Sequence, residues 1–432
     1  MIAIIVDHPK RELPFVVKLA EEFLKRFNEV ILIPMYEIDD FLLSRKFKET
    51  KLIIFNYIRK NNLDKIEYSH LSGKINVIYD TEGAPGRDGY DLSNLLNRVK
   101  NYFNLIDLYL FWGQAQVEDI KKKINLNFDY NVVGFLRHLE KNNSQDKKEN
   151  ILINTNFASI NPMFSNSVEE EIKIVKGLKD VKNIDFYERI LEKKKEKEEL
   201  FDFIKYISNK LPKEKFYIRP HPFEEKIDYM NLSNNIKNVF IDTSLTSIEA
   251  LRNSKVLIHL GCTTSVEAYF LNVPVINLSW INKNSKYSYS VVKRNGFQAN
   301  NLEEVCDFLN RINDKENFDQ DQIYDVKNIN DFFGNRKNNL DSFISYILTV
   351  LNKKNKKKNF KPRLSLKAYL KYFAKIILPG KIQRFIYTIY FGKKVYESRK
   401  NKYFQKDLIL RYSSKSLNIK KISDFYIIKK NV

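Results

Sequence analysis

The stretches Lys215–Pro222, KFYIRPHP, and Val239–Trp280, VFIDTSLTSIEALRNSKVLIHLGCTTSVEAYFLNVPVINLSW, decide how this chain folds. Phe216–Ile218, Val256–Ile258 and Val273–Ile276 are short β-branched or aromatic runs, each followed by polar or turn-forming residues, with helical patterns between them. Buried parallel strands with crossover helices have this form, because a strand covered on both faces has no polar side to alternate. Ligands of such sheets bind outside the carboxyl ends of the strands. There the sequence places Arg219, His221 and Pro222 after one strand, and Gly261, Cys262, Thr263, Thr264 and Ser265 after another. A cation, an imidazole and a hydroxyl-rich helix start on one edge suit a nucleotide phosphate better than an apolar ligand.

Working outward, residues 1 to about 138 repeat the same rhythm. The strand candidates are Ile2–Val6, Val30–Pro34, Leu52–Asn56, Ile75–Tyr79, Leu108–Trp112 and Asn131–Val133, with helical patterns best seen in Pro14–Phe27 and Leu92–Phe103. Glu140–Asn150 has no apolar residue and reads as a linker. A new strand opens at Ile151–Asn154, residues 166–212 read as a long charged helical insert, and 302–351 return to helix. The sequence therefore predicts an α/β protein with two Rossmann-type doubly wound domains, 1–140 and 150–350, facing a central cleft. Such a cleft gives one half to each of two substrates, the front domain read as the acceptor half and the rear one as the nucleotide half.

The net charge of +21 has a definite location. From Lys353 to Val432 there are 24 Lys and Arg against 3 acidic residues, whereas the preceding 352 residues hold 50 of each sign. The body thus has no net field to draw in nucleic acid, and the basic character belongs to a tail, 353–432. Lys367, Lys371 and Lys375 recur every four residues, with Leu366, Tyr369, Leu370, Phe373, Ile376 and Ile377 on the opposite side and Pro379-Gly380 as a stop. A basic amphipathic helix of this kind suits an anionic membrane surface, here over 364–432, and nucleic acid ranks last among partners. Two cysteines, Cys262 and Cys306, stand in no metal spacing, which argues against a disulfide scaffold or structural zinc. MIAIIVDHPKRE reads as a first strand, not a signal peptide. The apolar runs are far shorter than the roughly 18 to 20 residues a spanning helix needs. A cytoplasmic location follows as the expectation.

Several strand ends carry candidate chemistry. Asp80-Thr81-Glu82-Gly83 follows INVIY and opens a glycine-rich loop, so either carboxylate is a candidate general base, or the segment is a plain turn. Arg219 and His221 share one side of an extended strand that Pro222 must end, and the imidazole can donate to a departing phosphate. Thr263, Thr264 and Ser265 can hold a phosphate and Glu267 a ribose, although Thr264 with Glu267 also spells a capping box, as do Thr246 and Glu249. His259 either points into the same cleft or is a satisfied strand histidine. His8 and Arg11, beside Asp7 and Glu12, line an acceptor side or form a turn, and Asn154, Thr155 and Asn156 border the cleft. Asp319 and Asp321 have a metal-pair spacing but sit in a polar loop, and no metal is expected.

Taken together, Asp80-x-Glu82-Gly83, Arg219-Pro-His221-Pro222 and the run Gly261–Ala268 resemble bacterial surface carbohydrate (capsule and lipopolysaccharide) biosynthesis proteins of the GT-B type. Arg11-Glu12-Leu13, Phe111-Trp112-Gly113 and Ile153-Asn154-Thr155-Asn156-Phe157 add to the likeness, which covers residues 1 to 280 and less clearly to 350. The same three-part signature is similar to that of sialyltransferases and capsule Kdo transferases. The resemblance implies an inverting, metal-independent transfer of a sugar from a CMP-linked donor to a polysaccharide or lipid-linked acceptor, with no cofactor. It implies Glu82 or Asp80 as base, His221 on the phosphate, and Gly261, Thr263, Thr264, Ser265, Arg219, Pro222 and Glu267 on the donor. Thr81 occupies the first acidic position of the family motif, so the choice between Asp80 and Glu82 stays open. Alternatives are a CDP-alditol phosphotransferase of wall or capsule polymers and a non-catalytic nucleotide-sugar or polysaccharide-binding protein at the membrane.

Overall fold

A computed structural model describes residues 1–81, 92–138, 148–163, 165, 167–170, 172, 186–282, 290–314, 323–334, 339–353, 406–413, 417–422 and 425–429. Two compact units divide the chain. The first holds a sheet of parallel strands β1 (Ile2–Val6), β2 (Glu29–Pro34), β3 (Leu52–Phe55), β4 (Ile75–Tyr79), β5 (Leu108–Phe111) and β6 (Tyr130–Val132), in the order β2-β1-β3-β4-β5-β6. The apolar runs of β1 to β5 are buried on both faces, as the sequence reading requires, while the edge strand β6 is half-buried. On one face Ala3, Ile5, Ile31, Ile33, Ile53, Phe55 and Ile78 belong to a single core with Phe41, Phe103 and Tyr109. On the other, Phe15 of the helix Pro9–Leu24 meets Tyr79 edge-on at 5.9 Å.

The second unit has six parallel strands: β7 (Asn150–Asn154), β8 (Lys215–Arg219), β9 (Val239–Ile241), β10 (Ser254–His259), β11 (Val275–Leu278) and β12 (Phe297–Ala299). Their order is β12-β11-β10-β7-β8-β9. Read from the other edge this is the third, second, first, fourth, fifth and sixth strand, the doubly wound dinucleotide-binding order. β9 and β12 escape sequence reading because three residues, VFI and FQA, are too short to show a period. Within the 166–212 insert, Phe186–Lys210 is a helix of 25 residues.

The end of the chain corrects the domain boundaries. The described residues from Asp331 onward belong to the first unit, not to the second as a boundary at 350 implies. The helix Asn339–Lys353 puts Phe343 against Tyr79, ring centroids 5.3 Å apart. The sequence reads 302–351 as helix, but a helical pattern does not say which unit it covers. Trp112 stacks on Phe333 at 5.7 Å, and the carbonyl of Phe333 accepts from the Phe135 N–H at 2.7 Å. Gly113 lies so close to the backbone of Asp331 and Phe332 that a Cβ there would overlap both. The Phe111-Trp112-Gly113 motif is thus the seat for the returning chain.

The basic tail is likewise not wholly an appendage. The helix Lys406–Tyr412 lies on Pro9–Leu24, and Ser413 Oγ donates to Glu21 at 2.9 Å. Strands β13 (Asn418–Ile422) and β14 (Phe425–Lys429) form a hairpin whose β14 pairs antiparallel with β2, extending the first sheet to eight strands. FYIIK of β14 is apolar enough to be buried, and Phe425 meets Phe41 at 5.8 Å. Lys367, Lys371, Lys375 and the rest of 354–405 lie outside the described residues, as do Glu82, Asp319 and Asp321. Among the described residues no helix is long and apolar enough to cross a membrane.

Candidate functional site

In the second unit strand order reverses at β7: β8 and β9 run out on one side, β10 to β12 on the other. The gap between the carboxyl ends of β7 and β10 is the topological switch point, where neither neighbouring crossover covers the sheet edge. Register places Asn154 beside Arg219, and Ile153 beside Ile258, so His259 stands level with Asn154. Three adjacent strands therefore deliver Asn154-Thr155, Arg219-Pro220-His221 and His259–Thr264 to one edge.

His221 is held by its loop. Its backbone N–H donates to Thr155 Oγ1 at 3.3 Å, and its Nδ1 accepts the Phe223 N–H at 3.3 Å. A neutral ring with Nδ1 accepting carries its proton on Nε2, the nitrogen able to donate to an anionic oxygen. Arg219 is placed otherwise than expected. Its guanidinium is ion-paired with Asp242 after β9 and donates to the Ser244 carbonyl at 2.9 Å, tying β8 to its outer neighbour. Its partner, 23 residues on, was not legible in the sequence.

His259 is a satisfied strand histidine. Its Nδ1 accepts the N–H groups of Gly261 at 3.1 Å and Cys262 at 2.9 Å, while Nε2 meets the Asn295 carbonyl at 3.1 Å. Burial lowers its pKa to about 4, so the ring is neutral and shapes the turn. Gly261 has φ +75°, and this left-handed turn is what aims two successive N–H groups at one nitrogen. Burial pushes the Cys262 thiol up, with Thr264 and the Asn154 side chain as its hydrogen-bond partners, which makes it a poor nucleophile.

The two nearly identical helix starts behave differently. Thr246 caps its helix, accepting the Glu249 N–H at 3.2 Å, and Glu249 accepts from the Leu245 N–H at 3.0 Å, as the sequence predicts. The box expected at Thr264 and Glu267 does not form: Thr263 is the cap position, with no side-chain bond, and Thr264 Oγ1 lies 3.3 Å from the Cys262 sulfur. Relative to the shared Thr-Ser-x-Glu letters the second helix starts one residue earlier, at Thr264, whereas the first starts at Ser247. Ser265 Oγ and Asn154 Oδ1, both buried, have no hydrogen-bond partner among the described residues. Glu267 is buried in the same short helix.

Glu224 was not singled out from the sequence. Its buried carboxylate accepts from Thr155 Oγ1 at 2.8 Å, the Phe157 N–H at 2.5 Å and the Tyr229 hydroxyl at 2.5 Å. Burial still pushes its pKa up. The available signal was a carboxylate three residues past His221.

The first unit is stitched in a comparable way. Glu12, fully buried, accepts the Asp7 N–H at 2.8 Å, the Thr81 hydroxyl at 2.8 Å and Arg11 Nη2 at 2.9 Å. Thr81 N–H also donates to the Asn56 carbonyl at 2.9 Å, so the ends of β1, β3 and β4 are joined. Arg11 lies 3.5 Å from Asp7, and the His8 carbonyl starts the helix Pro9–Leu24 by accepting the N–H groups of Arg11 and Glu12. Asp80 is buried, ion-paired with Arg59 at 2.6 Å, and accepts from the Tyr109 hydroxyl at 3.2 Å.

No family model and no curated protein matches the chain. Among solved structures it is similar to the S. aureus MnaA–UDP co-structure, with TM-score 0.50 and 12% identity over 83% of this chain and 99% of that one. A UDP-GlcNAc 2-epimerase of Methanocaldococcus jannaschii in complex with UDP-GlcNAc and UDP gives 0.48 and 14%, over 81% and 99%. The wall teichoic acid polymerase TagF gives 0.46 and 10%, over 81% and 88%. The likeness is one of fold: the chain is a two-unit α/β protein of GT-B-like, doubly wound architecture.

Proposed function

We propose that the chain is an inverting glycosyltransferase that moves a sugar from a nucleotide-activated donor to a polysaccharide or lipid-linked acceptor. The observation that carries this reading is the polar set at the second sheet's switch point. Asn154 Oδ1 and Ser265 Oγ are buried without partners among the described residues, and the Phe223 N–H on His221 Nδ1 leaves Nε2 as the nitrogen that donates. Buried polar groups left unsatisfied cost about 1–3 kcal/mol each; a sugar hydroxyl or base N–H can donate to Asn154 Oδ1, and a phosphate oxygen can accept from Ser265 Oγ.

In the transfer, an acceptor hydroxyl attacks the anomeric carbon as the carbon–oxygen bond to the nucleotide phosphate breaks, and the bonding pair leaves on the phosphate. His221 Nε2–H donates to that oxygen, where negative charge grows most. The acceptor proton passes to a carboxylate. Asp80 is already paired with Arg59 and enclosed, which favours Glu82 as the base. Direct attack in one step inverts the anomeric centre. The resemblance favours a CMP-linked donor and no cofactor, and the basic segment favours attachment to an anionic membrane on its cytoplasmic side.

The test is to incubate the purified chain with CMP-, CDP- and UDP-linked donors and identify the released nucleotide by mass spectrometry, after thermal-shift screening with CMP, CDP and UDP. Release of CMP with sugar transferred to an acceptor supports the reading. Return of an isomerised sugar nucleotide, with no nucleotide released, would replace it with epimerisation. CDP-alditol consumption would replace it with phosphotransfer.

A further inference from the structure

We propose that Glu224 is a positioning residue that sets His221 through the hydroxyl of Thr155. This rests on reading His221 as the phosphate partner. Thr155 has one hydroxyl proton, and it goes to Glu224 Oε2 at 2.8 Å. A lone pair of the same oxygen then faces the His221 N–H at 3.3 Å. A carboxylate suits this task because it only accepts: no alternative direction is left for the Thr155 proton. Tyr229 donates to the same Oε2, and the Phe157 N–H fixes Oε1, so the carboxylate itself cannot turn.

The surrounding backbone locks the same two loops together. Met163 N–H donates to the Phe223 carbonyl at 2.9 Å, Glu225 N–H to the Asn161 carbonyl at 3.0 Å, and Glu224 N–H to the His221 carbonyl at 2.9 Å. The loop after β7 is thus the template for the loop after β8. Three contacts hold the Glu224 carboxylate, and through Thr155 Oγ1 it bears on the backbone N–H of His221. A hydroxyl between a buried carboxylate and a histidine backbone is a hinge pin: shortening or blunting it moves the ring without opening the core.

The test uses the full chain labelled at histidine Cε1, where only five histidines report. His221→Asn assigns the His221 signal. In Thr155→Val that signal is expected to shift or broaden while those of His8 and His259 stay, and Thr155→Ser is expected to restore it. Glu224→Gln, which keeps the shape but reverses one acceptor, is expected to act like Thr155→Val, and it carries the test if the valine variant does not fold. Affinity for whichever of CMP, CDP or UDP the wild type binds is expected to fall about tenfold in both and recover in Thr155→Ser. An unmoved His221 signal in a folded Thr155→Val or Glu224→Gln overturns the proposal, as does failure of the serine to restore it. If the wild type binds none of the three nucleotides while the His221 signal still responds, the positioning stands and the transferase reading falls.

Discussion

The carboxylate of Asp80 sits 2.6 Å from the guanidinium of Arg59, and both side chains are largely enclosed at the carboxyl edge of the first sheet. Replacing Asp80 by Asn removes the negative charge from a largely enclosed ion pair. Asp80→Asn is therefore expected to lower stability by about 3–5 kcal/mol, read from denaturant melts. Glu82→Gln is expected to leave the melt in place and to lower turnover by roughly 10²–10⁴. The opposite ranking would return the base to Asp80.

His221 is half-buried and its ring is not part of either core. His221→Ala should therefore melt within a few degrees of the wild type. Loss of one donor to a growing negative charge is expected to lower turnover by about 10²–10³. Single-turnover assays with the donor found by screening give the number, and near-normal transfer would remove His221 from the reaction.

His259 gives the protein a specific acid sensitivity. Its folded pKa of about 4 lies below the ordinary value of 6.5, so between those limits the unfolded chain binds more protons. Stability is full above pH 6.5 and is lost as pH falls toward 4, by about 3 kcal/mol in all. In His259→Gln, which cannot titrate, the part of the pH slope between 6.5 and 4 is expected to vanish. An unchanged slope would mean the ring is not held neutral.

Vesicle binding tests the basic segment, but truncation is the wrong variant. Ending the chain after Lys353 would also remove β14 and bare the edge of β2, so aggregation is the expected result. Replacing Lys367, Lys371 and Lys375 by Gln keeps the hairpin. With about 1 kcal/mol for each lysine near an anionic surface, the triple variant should bind phosphatidylserine vesicles about 100-fold more weakly. Cosedimentation at two salt concentrations measures it, and equal binding to neutral vesicles would argue against an electrostatic attachment.

Gly113→Ala places a methyl group on the backbone of Asp331 and Phe332. It is expected to unseat Phe333 from Trp112, seen as a change in tryptophan fluorescence together with a lowered melt.

Much of this was legible in advance, for identifiable reasons. The strands after which Asp80, Arg219 and Gly261 stand are continuous apolar runs, and burial on both faces writes that pattern directly into the chain. The functions of neighbouring polar residues were less legible. Arg219 stands at the end of the expected strand, and its guanidinium pairs with Asp242. Asp80 and Glu12 had the right edge, yet Arg59 and Thr81 occupy them. Glu224 drew no notice because its partner Thr155 lies 69 positions away.

By itself the sequence determined the alternation of strand and helix, the doubly wound class, the strand ends that carry polar residues, and the charge of the tail. Each depends on neighbours within one element. Tertiary structure alone decided that Thr246 caps a helix while the matching Thr264 does not. It also decided that the last strand of a basic tail completes the first sheet, and that a glutamate steadies the histidine loop. Those outcomes depend on which distant groups the register brings within about 3 Å, and a hydrogen bond at that range leaves no period along the chain to read.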